Sequence, residues 1–185
     1  MNLPNKITVM RIILIPFFLI VAGLVNILPS YDFGWGIVYL ANIIAMIIFA
    51  VASITDFLDG YIARRDNLVT NFGKFADPVA DKMLVMSALI VLTEQGLCPA
   101  WVAALIVCRE IAVTALRILL VETGEVLAAA WPGKVKTTTQ MLAVIFLLVG
   151  VNLVGTILLY VCLLATLYSG FEYFSKNRQV FSDGL

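Results

Sequence analysis

The chain has 185 residues, 62% of them hydrophobic and only 13% charged. Soluble domains run at roughly 45–50% apolar and about 25% charged, so these values, with a mean hydropathy of +1.04, argue against a water-soluble globular domain. Twelve Lys and Arg balance twelve Asp and Glu, and there is no histidine; this excludes histidine metal ligands, Ser-His-Asp triads and a histidine pH switch, and leaves any metal site rich in oxygen.

A bilayer-crossing helix needs roughly 20 apolar residues, and the apolar runs divide into six such spans. Lys6 and Arg11 precede an apolar run longer than a signal-peptide core, with no small-residue cleavage site, so it reads as a retained first span over 8–28. Pro29-Ser30 ends it. Tyr31, Phe33 and Trp35 follow as interface anchors. The second span covers 37–63 and the third 77–92, with Pro78 in its first turn, where a missing N–H does no harm. The fourth covers 99–120, with Trp101 near its outer end, the fifth 134–149 and the sixth 154–174. Cys98, Cys108 and Cys162 lie at or within apolar runs and read as packing residues rather than a disulfide or zinc framework. Met83 and Met86 read as lipid-facing or core filler, and Glu172 with Lys176 as an exposed pair one helical turn apart. No internal repeat or low-complexity segment is visible. The expected fold is an all-α integral membrane protein with six transmembrane helices, residues 1–185 forming a single membrane domain.

Charge placement orients it. Lys6 and Arg11, then Arg64, Arg65 and Lys74, then Lys134 and Lys136, then Lys176 and Arg178 fall at alternate ends of the spans. The other connections, 29–36, 93–97 and 150–153, hold no Lys or Arg. The positive-inside rule then puts both termini and the second and fourth connections in the cytoplasm.

Ionisable residues inside a span are costly, about 2.5–3.5 kcal/mol at mid-bilayer, and are functional candidates. Asp56 and Asp59 lie one turn apart toward the cytoplasmic end of span 2. Gly60 and Ala63 share their stripe and leave room for a close approach. Gly73, Asp77 and Asp81 recur at intervals of four. The short connection between spans brings the two pairs together. Four carboxylates held close repel unless cations neutralise them, and an all-oxygen cluster suits Mg²⁺, Mn²⁺ or Ca²⁺. The bland alternative makes these aspartates helix caps or partners of Arg64, Arg65, Lys74 and Lys82. The regular spacing of all four, beside small residues, disfavours it.

The whole segment reads Asp56-x2-Asp59-Gly60-x2-Ala63-Arg64-x8-Gly73-x3-Asp77-x3-Asp81 and resembles the signature of the CDP-alcohol phosphatidyltransferase family at every position. Asn5-Lys6-Ile7-Thr8-x2-Arg11, Arg109-Glu110, Arg117 and Gly133-Lys134-x-Lys136-Thr137 extend the likeness, toward the bacterial branch whose acceptor is glycerol 3-phosphate. The resemblance implies transfer of a phosphatidyl group from CDP-diacylglycerol to glycerol 3-phosphate, with release of CMP. It implies two divalent cations, Mg²⁺ or Mn²⁺, on Asp56, Asp59, Asp77 and Asp81, with Asp81 also the general base. It implies CDP-lipid contacts from Asn5, Thr8, Asp56, Gly60, Ala63, Arg64 and Gly73. It further implies a homodimer in the bacterial cytoplasmic (inner) membrane, surrounded by membrane lipid, with the active site facing the cytoplasm and no nucleic-acid partner.

Arg109, Arg117, Lys134 and Lys136 fit an acceptor that carries its own phosphate, since a guanidinium grips phosphate through two hydrogen bonds. Arg109 could instead pair with Glu110 or a neighbouring helix, although adjacent helix positions do not face each other. Two further readings stay open. A sibling enzyme would use serine, inositol phosphate or phosphatidylglycerol as acceptor. A cation transporter would use the aspartates as its path, but such sites lie near the midplane and often between repeats.

Overall fold

The computed structural model describes residues 3–32, 34, 36–65, 71–122 and 131–176, with side chains described at all of these except 3–4, 56–64, 71–78, 117–122, 131–132, 134 and 176. Long apolar runs favour helices, because a helix satisfies every backbone polar group within its own segment. Six form: α1 (Leu3–Gly23), α2 (Leu40–Arg65), α3 (Asn71–Glu94), α4 (Ala100–Glu122), α5 (Trp131–Leu148) and α6 (Asn152–Lys176). A 3-10 turn, Leu24–Asn26, extends α1.

Two boundaries move in ways that matter. α1 begins well before the expected span, so Asn5, Thr8 and Arg11 are helical and share one stripe at intervals of three. All three are buried, and Arg11 is 0% exposed. α3 begins at Asn71, which places Pro78 within the helix rather than in its first turn.

The helices are not the whole fold. Two short antiparallel strands, β1 (Ser30–Asp32) and β2 (Ile37–Tyr39), pair Tyr31 with Val38 in the connection expected to be plain loop. This corrects the all-helical expectation. Pro29 cannot continue a helix, and Gly34 takes a left-handed φ of +82°. The Asp32 carboxylate accepts the Gly34 N–H at 2.8 Å, and the Leu40 N–H donates to the Pro29 carbonyl at 3.0 Å. Ile37 therefore starts a strand, and α2 begins three residues later.

α1 packs on α2 and α3, α5 pairs with α6, and α6 also contacts α4; α2 and α3 close against α5. Phe18 and Phe49 meet at the centre with ring centroids 6.2 Å apart, among fully buried Leu89, Leu92 and Ile106. The α5–α6 turn closes with Gly150 at φ +83° and the Val151 N–H on the Phe146 carbonyl at 3.0 Å. Gly155 then lets α6 approach closely, since a Cβ there would lie 2.6 Å from Leu147 Cγ.

The outer surface is apolar. Ile20, Ile54, Ile90, Leu153, Leu164 and Phe171 are all exposed, the last two at 68% and 71%. Apolar exposure on every one of these helices is more than a water-soluble surface usually carries. Among the described residues, Asn5–Asn26 and Asn152–Ser175 are long and apolar enough to cross a bilayer, while Leu40–Thr55 and Val135–Leu148 are shorter apolar stretches. Together these make a mostly helical protein of membrane character.

Smaller expectations divide. Tyr31 and Trp101 are exposed, Trp101 lying against Tyr160 with centroids 6.3 Å apart. Met83 is exposed and Met86 half-buried. Cys98 and Cys162 are buried free thiols, and Cys108 is exposed. Burial pushes the Cys98 thiol pKa up from its ordinary value, as suits a packing residue. Glu172 is half-buried, not exposed, and one of its carboxylate oxygens is fully enclosed, because its face of α6 turns into the bundle beside buried Ser169 and Tyr173.

Candidate active site

One cavity gathers residues 22–26, 37–42, 94–97 and 147–152, so the ends of α1, α3 and α5 meet the starts of α2 and α6 at one pole. No Lys or Arg lies in those stretches. Arg11, Asp81 and Lys136 sit on the opposite halves of α1, α3 and α5, and Arg109 and Glu110 near the middle of α4.

Asp81, on α3, lines a small cavity with Lys82 from its own helix, Glu110 from α4, and Lys136, Thr137 and Gln140 from α5. Its carboxylate feels the positive charges of Lys82, Lys136 and Arg11 and the negative charge of Glu110. The structure thus brings Asp81 and Lys136 to one cavity. Arg11 completes the charge set from α1. In the sequence Arg11 is legible only as an orienting charge and as part of the family likeness.

Glu110 is the hub of the basic residues. Its carboxylate accepts a hydrogen bond from Arg109 Nη1 at 3.0 Å and another from Lys136 Nζ, with all three side chains largely buried. This overturns the argument that adjacent positions keep Arg109 and Glu110 apart. Their Cβ atoms do diverge, but a long arginine side chain bends back along the helix surface and reaches its neighbour. Arg109 Nη2 also donates to Ser169 Oγ on α6 at 2.6 Å. Gly170 makes that approach possible, since a Cβ there would sit 3.2 Å from Arg109 Cγ. Arg109 Nε is buried without a hydrogen-bond partner among the described residues, so the guanidinium keeps a donor in reserve. Neither Ser169 nor Gly170 carried a sequence signal; each matters only through a partner 60 or so residues away.

Asn5 and Thr8 are buried on the stripe of α1 that carries Arg11, facing protein rather than lipid. The remaining candidates have side chains outside the described residues. Their backbone positions are helical: Asp56, Asp59, Gly60, Ala63 and Arg64 in the last turns of α2, Gly73 and Asp77 in α3, Arg117 in α4 and Lys134 in α5. Among the described residues no three potential metal ligands cluster, and of the four aspartates that set includes Asp81 alone.

The arrangement places a carboxylate beside buried cations on three neighbouring helices, a combination suited to an anionic substrate that must also lose a proton. The family model described as CDP-alcohol phosphatidyltransferase matches residues 1–168. The chain is 48% identical, over 95% of both chains, to the CDP-diacylglycerol--glycerol-3-phosphate 3-phosphatidyltransferase of Bacillus subtilis (strain 168). It is 42% identical to the protein of that name from Shigella flexneri serotype 5b (strain 8401) and 41% identical to that of Salmonella paratyphi A (strain ATCC 9150 / SARB42), in each case over 96% of this chain and 95% of the relative. The chain belongs to the CDP-alcohol phosphatidyltransferase family.

Proposed function

We propose that the protein transfers the phosphatidyl group of CDP-diacylglycerol to glycerol 3-phosphate, giving phosphatidylglycerol phosphate and CMP, a step of phospholipid biosynthesis. The observation that carries the acceptor is the convergence of Arg109 and Lys136 on Glu110, which lines the same cavity as Asp81. Serine carries no net negative charge for these cations to meet, and inositol phosphate, equally anionic, is set apart from glycerol 3-phosphate by the names of the relatives. The names of the relatives agree with this reading.

In the proposed reaction Asp81 takes the proton of the acceptor's C1 hydroxyl. The freed oxygen attacks the phosphorus that bears diacylglycerol, and the bond from that phosphorus to CMP breaks, its electron pair leaving with CMP. A base within hydrogen-bond reach typically contributes about 10²–10⁴-fold. Arg109 and Lys136, with Arg117 and Lys134, hold the acceptor's phosphate and so aim the hydroxyl. Asn5, Thr8, Gly60, Ala63, Arg64 and Gly73 belong to the CDP-lipid side.

Two divalent cations, Mg²⁺ or Mn²⁺, are part of this reading, held by Asp56, Asp59, Asp77 and Asp81. The donor set fits: it is all carboxylate, the chain has no histidine, and each pair lies about one turn apart on a helix, in α2 and in α3. When bound, such ions neutralise the diphosphate and polarise the attacked phosphorus.

The topology proposed with it has six membrane-spanning helices in one domain over 1–185, both termini and the active site facing the cytoplasm, in the bacterial cytoplasmic membrane. Its support is the separation of the two poles by charge and the exposed apolar belt. The family resemblance adds a homodimer. In a background without native cysteines, Asn67→Cys and Tyr31→Cys should label from opposite sides of sealed vesicles. Labelling of both from one side would contradict the six-span arrangement.

Arg109→Ala should raise the glycerol 3-phosphate KM by about 10- to 150-fold, the equivalent of one charge-assisted contact worth roughly 1.5–3 kcal/mol. A contact remote from the reacting atom acts alike in ground and transition states, so kcat should fall less, and the CDP-diacylglycerol KM should stay near the parent value. The function itself is tested by an acceptor panel at constant CDP-diacylglycerol: CMP release should follow glycerol 3-phosphate, and release that follows serine or inositol phosphate instead would overturn the assignment.

A further inference from the structure

Gln140 lies one helical turn beyond Lys136 on α5 and is only 3% exposed. Its carboxamide makes no hydrogen bond among the described residues, and its Nε2 is fully enclosed. Leaving a buried amide unpaired is destabilising, and native proteins keep few such groups without a functional reason. The side chain lines the cavity that holds Asp81, Glu110 and Lys136. Of the other polar groups there, Lys136 donates to Glu110, and the Thr137 hydroxyl donates to the Gly133 carbonyl at 3.0 Å.

Glycerol 3-phosphate has three polar parts. The proposed function gives the phosphate to Arg109 and Lys136 and the C1 hydroxyl to Asp81. The C2 hydroxyl, one carbon from each of the others' attachment points, has no partner. Resting on that acceptor assignment, we propose that the Gln140 carboxamide hydrogen-bonds the C2 hydroxyl and makes the enzyme select an acceptor phosphate hydroxylated at that carbon. Gln140 is then a specificity-determining residue, pairing with a group that takes no part in bond making.

The probe is 3-hydroxypropyl phosphate, which is glycerol 3-phosphate without its C2 hydroxyl. With the full-length protein and CDP-diacylglycerol, CMP release gives kcat/KM for both acceptors. The parent should favour glycerol 3-phosphate by about 10- to 100-fold, because a site built to bond a hydroxyl rejects the analogue that lacks it. Gln140→Met, similar in length but unable to hydrogen-bond, should bring the two acceptors within about threefold by losing activity on glycerol 3-phosphate alone; Gln140→Leu should do the same. A purely structural role would lower both acceptors together and leave their ratio unchanged, which overturns the proposal. A parent that uses both equally overturns it without any variant. A parent that releases no CMP with glycerol 3-phosphate but does so with serine or inositol phosphate overturns the acceptor assignment, and this inference with it.

Discussion

Asp81→Asn should reduce turnover by about 10³-fold or more while leaving folded protein in the membrane. Loss of a well-placed general base alone removes about 10²–10⁴-fold, and the proposed second duty of Asp81 as a metal ligand pushes the loss toward the upper end. Asparagine matches aspartate in shape, so packing around residue 81 is preserved. It carries no charge, however, so neither a base nor a charged metal ligand remains at this position. Folding should hold, with Glu110 still pairing Arg109 and Lys136. The informative measurement is CMP release per folded molecule, with folded protein counted by size exclusion in detergent. Turnover within tenfold of the parent would remove Asp81 from the chemistry.

Removal of divalent cations should have an effect of the same order. In the proposed site, Asp56 and Asp59 of α2 and Asp77 and Asp81 of α3 would add their negative charges to those of the substrate's diphosphate. Like charges brought together in a poorly solvated site repel strongly, so CDP-diacylglycerol should neither seat nor react without cations. Thorough chelation should bring CMP release to background. Adding Mg²⁺ or Mn²⁺ back should restore it, and Na⁺ or K⁺ at equal ionic strength should not. Full activity after chelation would sink the two-metal reading.

What the sequence could show depended on how far apart the cooperating residues lie along the chain. Helices announce themselves through runs of neighbouring apolar residues, and the Asp56–Asp81 signature lies within one stretch, so both were legible. The β1–β2 hairpin was not. Its strands are three residues each, too short for an alternating pattern, and only Pro29 and Gly34 hint at it. Spacing marks Asp81 as a candidate ligand and the family resemblance marks it as a candidate base, but its charged neighbours come from four helices. The link from Glu110 to Lys136 spans 26 residues of sequence, and the one from Arg109 to Ser169 spans 60. Ser169, Gly170 and Gln140 look like ordinary helix residues until tertiary packing brings them beside a charge or a cavity. Arg109 pairs with Glu110 although adjacent helix positions diverge at Cβ, because a guanidinium ends several bonds further out.

The central claim is that one phosphatidyl group moves to one glycerol 3-phosphate for each CMP released. Purified protein, supplied with CDP-diacylglycerol and glycerol 3-phosphate labelled in its carbon skeleton, should move label into chloroform-soluble lipid in a one-to-one ratio with CMP. CMP formed without label in the lipid, or no CMP at all in the presence of Mg²⁺ or Mn²⁺, would contradict it.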